Sequence, residues 1–171
     1  MQKRHARLPL VLLVLFLSFS LWAAPLVRAQ GVTYTVSQEW AKIWINTDRS
    51  IDVLYNITFT YLSGQPQGIF TVGMPKGGFQ VQYVQDLSGS ALQFQDASQG
   101  SFYGIDVYLN PPIILNNPYT FIVYAAVPDM IYADETNPGN VGMLFYPTTF
   151  SSATGSITDL RVAIVLPQCV Q

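Results

Sequence analysis

The sequence predicts an all-β domain that follows an N-terminal export or anchor segment. Apolar and polar residues alternate over residues 51–62, which is the period of a strand with one buried face. Further short β-prone segments follow, separated by Gly, Pro, Asn and Ser. No segment shows a sustained apolar repeat of about 3.6 residues with helix-capping residues at its ends. These observations predict an immunoglobulin-like antiparallel β-sandwich of about 8–9 strands, preceded by an N-terminal signal or anchor helix.

Residues 1–29 are predicted to be a signal peptide or signal anchor. A basic start precedes residues 8–27, an uncharged run of twenty residues whose burial in hydrocarbon is favourable. The small residue Ala29 before Gln30 suits signal-peptidase cleavage at that bond. An uncleaved anchor stays open as well, since such a run is about long enough to span a ~30 Å hydrocarbon core and would contact the membrane. Both alternatives place residues 30–171, the predicted sandwich domain, outside the cytoplasm, secreted or membrane-anchored.

The first two strands are predicted to form a hairpin. Residues 34–45 are β-prone, and residues 51–62 carry the clearest alternation in the chain. Residues 46–50 between them, Asn-Thr-Asp-Arg-Ser, have the polar chemistry of a turn. Every second residue of the second strand is apolar, and these residues share one face of the strand, which is expected to face the core. They are Ile51, Val53, Tyr55, Ile57, Phe59 and Tyr61.

The remaining strands are bounded by turn signals. Residues 88–90, Ser-Gly-Ser, indicate a second hairpin between the segments on either side. Residues 119–127 are apolar on both parities, which favours a central or doubly covered strand. The last strand carries Leu160, Val162, Ile164 and Leu166 on one parity. The predicted segments are 68–72, 79–87, 91–95, 103–109, 119–127, 143–147 and 158–166.

Charge and residue usage exclude several classes of function. Only 11% of the residues are charged, against about 25% in an ordinary soluble domain. Residues 30–171 carry four basic and ten acidic side chains, a net charge of −6 that does not suit nucleic-acid binding. The only histidine is His5 and the only cysteine Cys169, so most metal and nucleophile chemistries lack their residues. Cys169 has no partner for an internal disulfide and either pairs with another chain or stays unpaired.

Aromatic residues of the first strand are the speculative ligand-binding candidates. Trp40 and Trp44 lie four residues apart on one parity, on a face shared with Lys42. Such a face can stack on sugars or peptides, although sandwich cores use the same residue types. The other aromatic residues considered for this platform are Tyr34, Tyr103, Tyr108 and Tyr124.

An acidic loop is a weak calcium candidate. Asp129, Asp134 and Glu135, with Asn137 and Asn140, supply the oxygen ligands that Ca²⁺ takes from loops. Their spacing does not match the D-x-[DN]-x-[DN]-G loop, and a solvated surface loop uses the same residues. The sequence therefore predicts no metal and no cofactor.

Asn56 begins the sequon Asn-Ile-Thr on the polar parity of the second strand, so it is a possible glycosylation site.

Two pairs of carboxylates are candidates for glycan processing. Glu39 and Asp52 can face each other across the first hairpin, and Asp96 and Asp106 bracket a loop. Exposed charges that resist edge-to-edge strand pairing explain the same residues. A serine hydrolase lacks a base, because residues 30–171 contain no histidine and no S-x-x-K motif.

The order of these features resembles the N-terminal extracytoplasmic domain of a predicted prokaryotic membrane-protein family, domain-of-unknown-function family 2207. The resemblance covers roughly residues 33–167 and rests on strand and turn patterns. It implies an exported sandwich and no particular activity. The matching features are the alternating cadence Ser50–Tyr61, the Gly-Ile-Phe step Gly68–Phe70, Met74-Pro75, the Y-x-F-x-Y strand Tyr119–Tyr124 and the closing Leu166-Pro167.

The sequence therefore predicts a non-catalytic, extracytoplasmic interaction or structural module, and it leaves open whether this module is the exported part of a larger membrane protein. Its expected partner is a protein or glycan at the cell surface. The alternative is a carbohydrate-binding or carboxylate-dependent glycan-processing domain.

Overall fold

The computed structural model describes residues 32–66, 68–110, 113–148, 150 and 157–167, and within these ranges the chain is all-β. The all-β prediction is confirmed. No helix in these ranges is long and apolar enough to cross a membrane. The predicted signal or anchor helix, the Ala29–Gln30 bond and Cys169 lie outside the described residues. The strands are β1 Thr33–Ile45, β2 Ile51–Ser63, β3 Ile69–Gly73, β4 Gln80–Asp86, β5 Gln93–Asp96, β6 Gly104–Tyr108, β7 Pro118–Val127, β8 Ile131–Ala133, β9 Val141–Met143 and β10 Asp159–Val165.

The described strands form two main sheets and a small ribbon. A five-stranded sheet has the order β10-β1-β2-β7-β4, a three-stranded sheet the order β3-β6-β5, and β8 pairs with β9. Neighbours are antiparallel except β1 and β10, which run parallel from Gln38–Asp159 to Trp44–Val165. The predicted antiparallel pairing is therefore confirmed for the other described strand pairs and is wrong for β1 and β10. A parallel pair needs a long connection, and β10 follows β1 only after all the other strands.

The first predicted hairpin is confirmed, and its turn shows why the chain reverses there. Asp48 accepts hydrogen bonds through Oδ1 from the Ser50 backbone N–H at 3.0 Å and from its hydroxyl at 2.6 Å. Arg49 has a φ of 73°, the left-handed conformation that completes a tight turn.

The second predicted hairpin forms only beside its turn, where Gln85 and Ala91 make an isolated antiparallel bridge and the Leu92 N–H donates to the Val84 carbonyl at 2.8 Å. The Asp86 carboxylate accepts backbone N–H bonds from Ser88 at 2.8 Å and Ser90 at 2.9 Å, and Gly89 has a φ of 83°. However, β4 pairs with β7 and β5 pairs with β6, so this turn carries the chain from one sheet to the other. Turn chemistry predicts a reversal and does not determine which strands pair.

The segment after β7 also differs from prediction. A strand was expected at residues 143–147, but the structure has a short ribbon in which Ile131 lies opposite Met143 and Ala133 opposite Val141. Residues 144–148 that follow are not a strand: Phe145 packs on the buried ring of Tyr55, while Leu144 and Tyr146 are exposed. Strands of three residues are too short for periodicity to identify.

The core lies between the five-stranded and the three-stranded sheet. The Phe59 ring on β2 stacks on Phe70 of β3 with centroids 4.3 Å apart, and Phe70 meets Phe121 of β7 edge-on at 5.6 Å. These contacts join the facing sides of the two sheets through aromatic rings. The predicted core parity of β2 is confirmed, because all six of its apolar residues are buried: Ile51, Val53, Tyr55, Ile57, Phe59 and Tyr61.

A bulge in β1 decides which side chains face the core. The register with β2 shifts between Val36 and Gln38, so Ser37 is an extra residue and Val36 and Glu39 both point inward. Beyond the bulge Trp40 and Trp44 lie on the opposite, outer side of the sheet. The bulge therefore changes the inward parity of β1, and the core receives Val36 before it and Glu39, Ala41 and Ile43 after it.

Phe59→Ala should destabilise the protein by about 3–5 kcal/mol, because the ring is fully buried and its loss leaves a cavity between the sheets. Urea unfolding followed by circular dichroism measures the change. Phe94→Ala is the matched control, since that ring is 41% exposed and should cost under about 1 kcal/mol. Equal losses from the two variants would contradict the shared core.

Candidate functional site

Four aromatic side chains lie on the outer side of the five-stranded sheet, the side away from the three-stranded sheet. β1 contributes Trp40 and Trp44, β4 contributes Tyr83 and β7 contributes Tyr124. Their strand parities place them together, because their cross-strand partners are the outward residues of β2 and β7. We call this surface the outer aromatic face.

Three of these rings, Trp44, Tyr124 and Tyr83, form a connected row across the sheet. Trp44 and Tyr124 meet edge-on with centroids 6.1 Å apart, and Tyr124 lies 5.3 Å from Tyr83 at an interplanar angle of 33°. Leu54 on β2 lies opposite Lys42 of β1 and opposite Tyr124 of β7, and it is half-buried on the same face. The rings therefore cover apolar side chains on one side and meet solvent on the other, an arrangement suited to stacking.

Two cations flank the row. Lys42 places Nζ 4.8 Å from the Trp44 ring centroid, and the Arg161 guanidinium lies 4.5 Å from the centroid of Trp40. Each cation–π contact contributes roughly 0.5–1 kcal/mol at an exposed site. Arg161 also pairs with Asp159 at 2.8 Å, which lowers the pKa of that carboxyl. Two of the four basic side chains in residues 30–171 thus lie on this face.

Polar groups border the aromatic row. Gln38 donates through Nε2 to Asn56 Oδ1 at 3.0 Å, and Asn46 donates through Nδ2 to Asp52 Oδ2 at 3.2 Å. Burial and then the nearby Asp52 carboxylate raise the pKa of Tyr124, so its hydroxyl stays neutral. The sequon residue Asn56 is half-buried on this face, and its glycosylation remains a prediction.

The structure brings together some of the predicted aromatic platform and separates the rest. Trp40, Trp44 and Tyr124 share the face, together with Tyr83, which was not among the predicted residues. The alternation of residues 79–87 was its signal, but a register shift between Val81 and Tyr83 obscured the side on which it lies. The other three candidates lie elsewhere: Tyr34 packs on Phe59 and Phe70, Tyr103 lies against Gly77, and Tyr108 is on β6.

A buried polar clamp on the core side was not predicted. Thr148 donates its backbone N–H to Glu39 Oε1 at 2.8 Å and its hydroxyl to the Gly73 carbonyl at 2.7 Å. Because Glu39 is on β1 and Gly73 on β3, Thr148 links the two sheets. Phe145, three residues earlier, stacks on Tyr55 at 6.4 Å. We call the Thr148 contacts with Glu39 and Gly73 the Thr148 clamp.

Glu39 in this clamp is a carboxyl with unusual proton affinity. The residue is 0% exposed and its second oxygen, Oε2, is buried without a hydrogen-bond partner. Burial raises its pKa from 4.5 to about 7, while the hydrogen bond from Thr148 opposes the rise. Nearby Tyr55 is also buried, and burial raises the pKa of its hydroxyl.

The structure does not form the predicted carboxylate pair of the first hairpin. Glu39 lies opposite Ile57 and points into the core, whereas Asp52 lies opposite Trp44 on the outer face. The expectation that they face each other is wrong, because the partner of Asp52, Trp44, is five residues from Glu39 along β1, and an odd spacing puts the two carboxylates on opposite faces of the sheet.

The second predicted pair serves local structure. Asp96 accepts the Ser98 backbone N–H at 2.8 Å, and Asp106 accepts the Thr71 hydroxyl at 2.6 Å. Both carboxylates therefore have hydrogen-bond partners beside them in the three-stranded sheet and its loop.

The calcium candidate is a loop in which the Asp134 carboxylate accepts hydrogen bonds from groups of the same loop. The Asp134 carboxylate accepts backbone N–H bonds from Thr136 at 2.9 Å and Asn137 at 3.1 Å, and the Asn137 side chain bonds its second oxygen. The Asp129 carbonyl accepts from Lys76 at 2.8 Å, and Glu135 is exposed. In the described part of the chain, no three His, Cys, Asp or Glu side chains gather in a metal-binding group.

Comparisons with known proteins give distant structural similarity only. No family model and no curated protein matches the chain. Leukotriene A4 hydrolase from Saccharomyces cerevisiae superposes with a TM-score of 0.46 at 15% identity, over 68% of this chain and 20% of that one. A substrate-bound M1 zinc metallopeptidase from Deinococcus radiodurans gives 0.43 at 13% identity, over 61% and 22%. Aminopeptidase A from Legionella pneumophila gives 0.43 at 10% identity, over 62% and 12%. The matched region is only about a fifth, or less, of the length of each of these enzymes. The similarity therefore identifies neither a family nor an activity.

Stability should fall between pH 5 and pH 8 because of Glu39. Its folded pKa of about 7 lies above the ordinary value of 4.5, so the folded protein keeps a proton that the unfolded chain has released. The contribution is full below pH 4.5 and is lost as the pH rises through about 7. We expect a decrease of about 2 kcal/mol in the free energy of unfolding, measured by urea titration at each pH.

Glu39→Gln is the control for this pH dependence. Glutamine keeps the acceptor for the Thr148 N–H and cannot ionise, so its stability should change little over the same range. The only histidine, His5, lies outside residues 30–171 and can be replaced by Gln without touching the clamp. An unchanged pH slope in Glu39→Gln would contradict the buried protonation site.

Proposed function

We propose that this protein is a non-catalytic, extracytoplasmic module that binds a glycan at the cell surface through the outer aromatic face. The observation that carries the proposal is the connected row of Trp44, Tyr124 and Tyr83 on the solvent side of the five-stranded sheet. We further propose that the scaffold is an immunoglobulin-like β-sandwich, and the aromatic contacts between its two sheets support this.

A glycan suits the face because its chemistry has two parts. The C–H faces of a sugar ring are apolar with a slight positive charge and pack on aromatic rings, while its hydroxyls need polar partners at the margin. Asn56, Gln38 and Asp52 supply such partners beside the row. A protein partner on the same face is the competing possibility, because Trp and Tyr also anchor protein interfaces.

The absence of catalysis is supported by where the carboxylates lie. A glycosidase needs two carboxyl groups about 5–9.5 Å apart around one sugar bond. On the outer face Asp52 lies opposite Trp44, while Asp159 lies opposite Gln38, six residues along the same strand. That offset is roughly 20 Å at ~3.3 Å per residue. The alternative of carboxylate-dependent glycan processing therefore has little support from this face.

The extracytoplasmic location is proposed from the N-terminal sequence. Residues 8–27 have the uncharged length of a signal or anchor segment, and a basic stretch precedes them. Membrane contact through residues 8–27 follows if the segment is not cleaved. Membership of domain-of-unknown-function family 2207 is likewise a proposal, resting on the strand and turn cadence of residues 33–167.

Trp44→Ala should weaken glycan binding at least about tenfold, since it removes one end of the aromatic row. Tryptophan fluorescence during titration with cello-, chito- and mannohexaose measures saturable quenching, and Trp40 remains as the reporter. Tyr146→Ala is the matched control, because that ring is exposed and outside the outer aromatic face. Failure of all three sugars to bind the unmodified protein, or equal binding by Trp44→Ala, would refute a glycan ligand on this face.

Export should place the domain outside the cytoplasm. A phosphatase that folds only in an oxidising compartment, fused after Gln171, should be active, and N-terminal sequencing of the mature chain should begin at Gln30 if the leader is cleaved. Deleting residues 8–27 is the control and should leave the fusion inactive in the cytosol. Activity that is independent of this deletion would contradict the proposed location.

A further inference from the structure

The strand β10 is an open edge of the five-stranded sheet. In the described part of the chain it pairs on one side with β1 and has no strand on the other. An edge strand presents a row of backbone N–H and C=O groups that can pair with another strand.

An apolar stripe accompanies this open edge. Leu160, Val162 and Ile164 lie opposite Glu39, Ala41 and Ile43 respectively, which point into the core. The stripe is nevertheless 47%, 43% and 53% exposed at these three positions, and Leu166 beyond them is 70% exposed. The second sheet has three strands against five, and it leaves the core side of β10 uncovered. We call Leu160, Val162, Ile164 and Leu166 the β10 stripe.

The opposite edge of the same sheet is protected and β10 is not. In β4 the register with β7 shifts between Val81 and Tyr83, and an isolated bridge joins Gln85 to Ala91 at its end. Bulges and covered ends are ways in which proteins prevent edge pairing. β10 has an unbroken register with β1, contains no Pro or Lys, and its two charges, Asp159 and Arg161, bond each other.

We propose that a second copy of this chain docks on β10, with the two β10 strands antiparallel about a two-fold axis at Ala163. The residues of the stripe are, in chain order, Leu, Val, Ile and Leu. Read in the reverse direction they are Leu, Ile, Val and Leu, which is nearly the same series of side chains. A two-fold interface requires such self-complementarity, because each residue must meet its counterpart from the other copy. In this register Leu160 meets Leu166 and Val162 meets Ile164 of the second copy.

Other symmetric registers are less favourable. An axis at Arg161 would set two arginines directly opposite each other, a destabilising like-charge pair. An axis at Val162 would leave Leu166 without a partner from the stripe. The axis at Ala163 places the smallest side chain of β10 at the centre, opposes Arg161 to Val165 and pairs all four members of the stripe.

The dimer has a consequence for the outer aromatic face, although the inference does not depend on a glycan ligand. Arg161 on the outer side of β10 lies over Trp40, so the faces of two copies would lie side by side on one continuous sheet. Two faces with a fixed spacing bind a repeating polymer more tightly than either face alone.

Disulfide trapping tests the register. In a Cys169→Ser background, Ala163→Cys places two thiols directly opposite each other across the axis, within the reach of a cross-strand disulfide. Mild oxidation of the full chain should give a covalent dimer on a non-reducing gel. Leu87→Cys in the same background is the control, because Leu87 is 70% exposed and lies outside β10. Cross-linking of Ala163→Cys no faster than Leu87→Cys would overturn the proposed register.

Light scattering tests the dimer itself. The full chain should have twice its chain mass of 19.0 kDa at micromolar concentration. Val162→Lys should give the single-chain mass, because an inward-pointing lysine blocks edge pairing, while Leu87→Lys should remain dimeric. Circular dichroism confirms that both variants are folded. A single-chain mass for the unmodified protein, or a dimer of folded Val162→Lys, would overturn the proposal.

Discussion

The pairing of β1 with β2 around one extra residue, Ser37, is the constraint on which the rest of the structure depends. Side chains in a strand alternate with period two, so one inserted residue exchanges the faces of everything beyond it. Ahead of the bulge Val36 is in the core, and beyond it Glu39 and Ala41 take the inward positions. The outward positions then go to Trp40 and Trp44. The turn at residues 46–50 sets the unbroken register of residues 38–45, so Glu39 faces the core and the two indoles face outward, and the bulge allows Val36 on the earlier part of β1 to face the core as well.

The unequal size of the two sheets explains a second group of features. Three strands cannot cover five, and the uncovered part lies toward β10. Residues 144–148 close part of this gap by bringing Phe145 onto Tyr55 and Thr148 onto Glu39. The β10 stripe lies beyond their reach and stays exposed. A clamp at the sheet edge and an apolar edge strand are thus two results of the same mismatch in strand number.

The sequence predicted the strands well and their partners less well. β2 was unambiguous because its alternation continues for twelve residues, and the turn at residues 46–50 has side chains that bond their own backbone. The turn at residues 88–90 has the same chemistry, yet β5 crosses to the other sheet. Pairing depends on contacts between distant segments, and these leave no local signal. The bulge at Ser37 was invisible for a related reason, because Ser and Gln are compatible with either face of a strand.

The candidate site shows the same limit. Trp40, Trp44 and Lys42 share a parity in the sequence, and that part of the outer aromatic face was foreseeable. Tyr83 and Arg161 come from strands on opposite sides of the sheet and required the strand order. The predicted pair of Glu39 and Asp52 is wrong, because the hairpin register places Glu39 opposite Ile57 and Asp52 opposite Trp44, on different faces of the sheet.

A buried glutamate at position 39 can be understood from the backbone groups around it. The Thr148 N–H and the Gly73 carbonyl lie in different segments, and the clamp pairs both of them within the protein. A leucine at position 39 would fill the space and leave the Thr148 N–H without an acceptor, at a cost of about 1–3 kcal/mol. Glutamate supplies that acceptor, and its own burial is tolerable because the carboxyl can stay protonated up to about pH 7. Protonation of Glu39 therefore reduces the free-energy cost of burying its carboxyl. The carboxyl in turn holds residues 144–148 against the two sheets through its hydrogen bond with Thr148.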